Sequence, residues 1–398
     1  MRWRMRPRLT PIWKAAPISA RSSSRSRRDV GAVQIAILGL ALLSLGLSAW
    51  TIRRDVPLVW EWAVPAPLPR GEAPLFRTVL DYTAPAGDAH SPGIVLRGDG
   101  YSILWFEGSQ EARADVDIVG VDIGPGGVSP LTERVTRGAL SDAFEPRQLV
   151  VTLGNTVQND GAPDALYTTA VSVGGWAMAS VADVRMGPDG PAWARKLNLS
   201  PLLNRSFLVK SPMVALADGS HALPAYFEMG RTYGALVRLD GRGRVRDMRR
   251  MAGPMKPIQP MVVPLDAKRA VAFLRNFDTG AGRLLMTRTE DGGQSWDTVR
   301  ETDMPNPSAP VAALGLGAER ILMAVNDDAG DGGILNLTLS EDGGETWRHM
   351  HRLEAGGGDA RYPMMRALPD GRIVLTYSIG GKSGIRVHEF NLSWALGA

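Results

Sequence analysis

Apolar residues fall along this chain in two distinct textures. Residues 30–52 form one nearly unbroken apolar run of 23 residues, with Gln34 as its main interruption. At about 1.5 Å per residue a helix of that length reaches roughly 34 Å, enough to cross a bilayer core of about 30 Å. Beyond residue 70 the texture changes to short apolar runs separated by Gly, Asp and Pro. Examples are Gly93-Ile-Val-Leu, Tyr101-Ser-Ile-Leu-Trp105, Ala270-Val-Ala-Phe-Leu274 and Arg372-Ile-Val-Leu-Thr-Tyr377. Asp-Gly steps recur between such runs at 99–100, 189–190, 218–219, 240–241, 291–292, 342–343 and 370–371. Asp-Gly between strand-like runs is a hairpin signal, so this part predicts many short antiparallel strands. After residue 60 no long stretch carries helical periodicity.

Two of the turns are copies of each other. Thr289-Glu-Asp291-Gly-Gly293-Gln-Ser295-Trp296 and Ser340-Glu-Asp342-Gly-Gly344-Glu-Thr346-Trp347 share the pattern Ser/Thr-x-Asp-x-Gly-x-Ser/Thr-Trp, 51 residues apart. Asp binds nearby backbone, Gly supplies positive φ, and Trp pins the turn onto a sheet. A fixed period of this length marks stacked copies of one supersecondary unit. Residues 71–398 number 328, which at that period makes about six units. Asp189-Gly-Pro-Ala-Trp193 reads as a degenerate copy, one residue short.

Charge divides the chain. Arg2, Arg4, Arg6, Arg8, Lys14, Arg21, Arg25, Arg27 and Arg28 precede the apolar run, opposed only by Asp29. After residue 54 the balance reverses to 34 Lys+Arg against 40 Asp+Glu. The body therefore lacks the basic surface that phosphate neutralisation needs, which argues against nucleic acid as a partner. A basic flank before an apolar run instead sets membrane orientation by the positive-inside rule. The reading is a basic cytoplasmic tail (1–29), a transmembrane signal anchor (30–52) longer than a cleaved signal's apolar core, and an external body. Leu47-Ser-Ala49 is the alternative, a cleavage site. Residues 53–70 carry Pro57, Pro65, Pro67 and Pro69, as in a stiff extended spacer. The chain has no cysteine, hence no disulfide or thiolate site. Arg greatly outnumbers Lys, the bias of a GC-rich bacterial genome, which would place the body in the periplasm on an inner-membrane anchor.

The repeated turn resembles the Asp box of the sialidase-like, or BNR-repeat, β-propellers. That resemblance implies an all-β fold: a six-bladed β-propeller over residues 71–398, here preceded by one transmembrane helix. In that family the boxes sit on outer hairpins away from the active site, so they argue for fold, and function must come from the site.

Further segments resemble the family's site-bearing strands. His90-Ser-Pro92, Trp105-Phe-Glu107-Gly-Ser109 and Asp115-Val-Asp117 resemble the first blade. The resemblance implies that His90 stands where a carboxylate-clamping arginine is expected, and Ser109 where a second arginine of that blade is. It implies a general acid at Asp115, or at Asp117 two residues on. Gln259-Pro-Met-Val-Val followed by Arg275-Asn276 resembles the segment with a Glu and a clamp Arg. Arg275 matches the Arg, and Gln259 stands at the Glu. The third clamp position falls on Gly332. Arg361-Tyr362-Pro363 resembles the segment carrying the nucleophilic tyrosine, matched by Tyr362.

A phenol nucleophile needs a nearby carboxylate as base. With Gln259 at that position, Glu228 in Leu223-Pro-Ala-Tyr-Phe-Glu228 is the substitute, and Glu107 is a second acidic site residue. The resulting set is Asp115, Asp117, Tyr362 and Glu228 for catalysis, with His90, Glu107, Arg275 and Gln259 for substrate binding. The implied function is exo-glycosidase action on an envelope or extracellular glycan, with non-catalytic carbohydrate binding or envelope scaffolding as the alternative. The expectation is neither cofactor nor metal. His349 and His351 lack a third ligand nearby, and Asn326-Asp-Asp328-Ala-Gly-Asp331 reads as a solvated hairpin tip, with loose calcium chelation as its alternative.

Overall fold

The computed structural model describes residues 27–54, 57–162, 164–200, 204–278, 280 and 282–397. Most of the basic tail lies outside the described residues. The chain divides at Leu58 and Val59 into two units. In the first, Arg27–Arg54 is one α-helix. Its segment Gly31–Arg54 has a mean hydropathy of 2.1 and buries none of its apolar side chains. Length and composition suit a membrane anchor or a signal sequence.

The second unit is built from six antiparallel sheets. Five are made of consecutive strands. The sixth closes the ring: Phe76–Thr83, the first strand of the body, pairs with Gly384–Phe390, the last. Both chain ends of the body are thus hydrogen-bonded into one blade. The inner strands of the six blades are Asp88–Leu96, Thr152–Gln158, Phe207–Val209, Pro257–Pro264, Ala312–Gly317 and Arg361–Ala367. Four of them are buried almost throughout, on both faces rather than in alternation, while Ala312–Gly317 and Arg361–Ala367 are buried only in part. The apolar core lies in the seams between neighbouring blades. Short helices are exceptions to the all-β texture. Arg137–Ala143 is capped by Thr136, whose hydroxyl accepts the Ala139 N–H at 3.1 Å.

The two Asp boxes have the same geometry. Thr289 Oγ1 donates to Asp291 Oδ1 at 2.8 Å and accepts from Gly293 N at 3.0 Å. Ser340 donates to Asp342 at 2.8 Å and accepts from Gly344 N at 2.8 Å. Each Asp then ties down the residue four further on, Ser295 at 2.9 Å and Thr346 at 2.9 Å from the backbone N–H. Burial alone would raise the Asp342 carboxyl, but the bonds from Thr346 and Ser340 bring it down to about 2.

Residues 59–70 are extended, as their prolines dictate, and lie against the body. Trp62 is 1% exposed and pairs with Leu216. The Trp60 ring meets the guanidinium groups of Arg238, at 4.9 Å, and Arg249, at 5.1 Å. The backbone of Trp60 passes so close to the first Asp box that a Cβ on Gly292 would sit 2.0 Å from its carbonyl. Further along, Pro69 rests on Gly371 and Ser393 binds the carbonyls of Arg70 and Gly71. The segment reads in sequence as a spacer, yet it is a strap that begins the compact unit at Val59. Its two tryptophans, rather than its prolines, decide this.

Candidate functional site

The inner strands do not enter the hub cleanly. In four of them the pairing register slips near the start, between His90 and Gly93, Leu153 and Thr156, Ile258 and Met261, and Arg361 and Met364. The first, third and fourth of these slips each hold a non-glycine residue with left-handed backbone: Ser91 (φ 54°), Gln259 (φ 53°) and Tyr362 (φ 59°). Ser308 (φ 54°) adopts the same conformation just before the inner strand of blade five. Such residues cost about 1–3 kcal/mol each and persist where the surrounding fold over-determines them. A bulge re-aims a side chain that regular alternation would send elsewhere. Gln259 and Tyr362 are thereby turned into one cleft at this end of the hub.

The cleft has a volume of about 400 Å³. Its floor is a hydrogen-bonded chain. Arg275 Nη1 donates to the Tyr362 hydroxyl at 3.1 Å and reaches Gln259 Oε1 at 3.5 Å. Gln259 Nε2 donates to the Tyr226 hydroxyl at 3.3 Å. Arg275 Nε is braced by Ser308 Oγ at 3.1 Å. Around this floor stand three carboxyl groups, Asp88, Glu111 and Glu228, a second cation, Lys382, and the rings of Trp176 and Phe277. Lys382 pairs with Glu111, whose backbone N–H binds Asp88 at 2.7 Å.

Burial raises the Glu228 carboxyl above its usual value. Arg275 pulls it down and Glu111 pushes it up, but burial wins. Burial also raises the Tyr226 phenol, helped by Glu228 and Tyr362. Lys382 behaves oppositely: burial works against its charge, but the contact with Glu111 outweighs that and holds it up.

Of the residues singled out in sequence, the structure brings Tyr362, Arg275, Gln259 and Glu228 to this cleft. The other four lie outside its lining. Asp115 is exposed, and the Ser109 side chain, helped by the Ser109 backbone N–H donating at 3.1 Å, keeps its carboxyl low. Asp117 is committed to Arg137, binding its backbone N–H at 2.7 Å and Nε at 2.8 Å. Glu107 accepts the Tyr82 hydroxyl at 3.0 Å and the Trp105 indole at 2.8 Å, so its oxygens serve packing within blade one and across to the outer strand of blade six. His90 is 1% exposed and meets the Tyr362 ring edge-on, with centroids 4.5 Å apart. Burial, then the charges of Lys382, Arg275 and Arg361, push its imidazole well below its usual value, so it is neutral. A neutral ring there supports Tyr362 and clamps no anion.

The third clamp position, Gly332, is filled from elsewhere. A Cβ there would lie 2.3 Å from Arg361 Nη2. Arg361 in turn is tied to Asp359 at 3.0 Å and to the Pro307 carbonyl at 3.4 Å.

Sequence reasoning missed Glu111, Asp88, Lys382, Tyr226 and Trp176. Glu111 had a readable signal, because it shares the loop of Asp115. Tyr226 shares a strand face with Glu228, two residues away. Lys382 and Trp176 come from loops with no local signature. The histidines noted above have structural partners: His349 pairs with Asp327 at 3.1 Å, and His351 stacks on Trp394 at 3.9 Å.

Comparison with known proteins agrees with the geometry of the fold. The family of BNR repeat-like domains matches residues 102–375. No curated protein matches the chain. Three solved structures are similar in fold. The Hadza microbial sialidase Hz136 shares 14% identity with a TM-score of 0.61, over 77% of this chain and 66% of that one. A Dyadobacter fermentans protein of unknown function shares 13% at 0.57, over 79% and 99%. The Trypanosoma rangeli sialidase in complex with sialic acid shares 12% at 0.55, over 83% and 60%. This chain thus spans 66% and 60% of the lengths of those two sialidases. At such identities the likeness is one of fold. With the family match over more than half its length, this chain belongs to the BNR repeat-like domain family, on a six-bladed propeller of the sialidase type.

Proposed function

We propose that the cleft takes a terminal sugar of an envelope or extracellular glycan and hydrolyses its glycosidic bond, with the N-terminal helix serving as an inner-membrane anchor and the body in the periplasm. The observation that carries this reading is the pair of carboxyl groups in unlike settings within one cleft. Glu228 is half-buried, with its carboxyl raised by that burial, while Glu111 is ion-paired to Lys382. Environments that separate two carboxyl groups in this way mark an acid and a base.

In this scheme water adds to the anomeric carbon and loses a proton to Glu111. The bond to the leaving oxygen breaks as Glu228 gives that oxygen its proton. Tyr362, with Arg275 on its hydroxyl and an amide rather than a carboxylate at Gln259, faces the developing positive charge at the anomeric carbon. The fold likeness to proteins named as sialidases supports a glycan as the ligand.

The test is sugar release by the full-length protein in detergent, from a panel of aryl glycosides and envelope glycans. Glu111→Gln and Glu228→Gln are each expected to lower turnover about 10²-fold or more. Unchanged rates in both would remove the assignment. A second reading, binding without turnover, is favoured by Gln259, which occupies the expected carboxylate position and is engaged with Tyr226 and Arg275. Measurable glycan affinity with no released sugar would select it.

A further inference from the structure

We infer that the sugar recognised in the cleft is uncharged, and that Trp176, not an arginine clamp, is what grips it. This rests on the glycan reading of the cleft and specifies its substrate class.

The first half follows from where the cations are. Recognition of a sugar carboxylate is best done by guanidinium forks with free donors. Neither of the two clamp positions besides Arg275 presents one, nor does the further arginine position at Ser109. His90 is neutral and buried beneath Tyr362. Ser109 lies outside the cleft lining, with its backbone N–H on Asp115. Gly332 has no side chain, and the space above it holds Arg361, itself engaged by Asp359 and Pro307. The cations that do line the cleft are committed to neighbours. Arg275 donates through Nε to Ser308 and through Nη1 to Tyr362 and Gln259, and Lys382 pairs with Glu111. An anionic sugar would compete with these bonds, and would share the cleft with the carboxyl groups of Asp88, Glu111 and Glu228.

The second half follows from how Trp176 is held. It lies on the short turn Gly175–Met178, entered through left-handed Gly174 and Gly175. Part of the ring packs on the cluster of Val171, Leu208, Tyr226 and Ile258, and part lines the cleft. Room for the ring is cut into the neighbouring inner strand. A Cβ on Gly154 would come within 3.1 Å of its outer carbons. An aromatic ring fixed from behind and open in front offers a flat apolar face to the C–H side of a pyranose. The amides of Asn155 and Gln110 stand among the cleft's polar groups, within reach of sugar hydroxyls. Convergent polar groups around a rigid aromatic are the usual composition of a pocket for a neutral polar ligand.

The experiment is calorimetric titration of the full-length protein in detergent with matched methyl glycosides. The pairs are glucoside against glucuronide and galactoside against galacturonide, in both anomers, with a methyl sialoside alongside. At least one neutral member is expected to bind about tenfold tighter or more than its carboxylated partner. Trp176→Ala should weaken the neutral ligand by about tenfold or more. Trp176→Phe should recover part of that loss, and thermal unfolding would report whether either variant is folded. Tightest binding by a carboxylated sugar, or neutral binding that survives a folded Trp176→Ala, overturns this inference and leaves the glycan reading standing. Binding of none of the probes counts against the glycan reading itself and takes this inference with it.

Discussion

Arg275 and Tyr362 are joined by a 3.1 Å hydrogen bond across 87 residues of sequence. One comes from the second strand of blade four and the other from the inner strand of blade six. Only a closed ring makes them neighbours. The bond fixes the phenol's oxygen, while His90 supports the ring from beneath. If the two residues act as a unit, removing both should cost little more than removing the more important one. Arg275→Met is expected to lower kcat/KM about 10²-fold, Tyr362→Phe about tenfold, and the double variant about as much as Arg275→Met alone. Effects that add would show that the bond has no functional weight.

The loop after the second strand of blade one presents Glu111 to the cleft and leaves Asp115 outside it. Asp115→Asn should therefore leave turnover within about twofold, against the large loss expected for Glu111→Gln. Asp117→Asn separates stability from chemistry. It removes the partner of the Arg137 guanidinium and weakens the bond to its backbone N–H, at a cost of about 1 kcal/mol in urea unfolding, with turnover per folded molecule unchanged. A large catalytic loss in a fully folded Asp115→Asn would reinstate the acid that the resemblance implied.

The propeller was legible because its signature is local. An Asp box is one turn, and two turns at 51 residues set the blade length. The cleft was legible only in part. Tyr362, Arg275 and Gln259 were found because their strands kept the family's order, and Glu228 because a carboxylate was sought to replace the one missing at Gln259. His90 and Glu107 went astray at the register slip between His90 and Gly93, since a bulge changes which face a side chain takes. Asp115 was preferred to Glu111 because a loop preserves its end points better than its register. Lys382 was invisible because its loop links the second and third strands of blade six, where nothing local marks a site. The strap was misjudged as a spacer because proline stiffness is readable and the burial of Trp62 is a tertiary fact.

The strap leads to a comparison between the two Asp boxes. Gly292 and Gly343 hold the same place with φ of 76° and 70°. Both would resist alanine for that reason, at about 1–2 kcal/mol. At Gly292 a Cβ would also strike the Trp60 carbonyl at 2.0 Å, whereas at Gly343 the nearest atoms are 3.3 Å away on Arg288 and Leu265. Gly292→Ala should thus destabilise more than Gly343→Ala by about 1 kcal/mol or more, measured in urea. Trp62→Ala, which empties a buried site, should cost about 3–5 kcal/mol. If Gly292→Ala and Gly343→Ala proved equal, the strap would not be docked in solution.

Lys210 supplies a pH test of the hub. It is 3% exposed, and its ammonium nitrogen donates to the carbonyl of Pro363, the residue after Tyr362. Burial lowers its pKa to about 7, from 10.5 in the unfolded chain. Between those values the unfolded chain binds a proton that the folded protein does not, so stability rises with pH across the window. The penalty of burying the charge is present in full below about 7 and is relieved as pH climbs towards 10. The slope from this one group is at most about 1.4 kcal/mol per pH unit. Above 10 the raised phenols of Tyr101, Tyr167 and Tyr377 act in the opposite sense, because the unfolded chain then loses protons first. Lys210→Met removes the charge and leaves the Pro363 carbonyl without its donor, a pH-independent loss of about 1–3 kcal/mol. The variant should compare best with the parent near pH 7 and fall progressively behind towards pH 9.5. The measurement is urea unfolding of both proteins at pH 7, 8 and 9.5. A stability difference that stays constant across the three would mean that the amine keeps its proton inside the hub, and that Pro363 is held by a full ammonium charge.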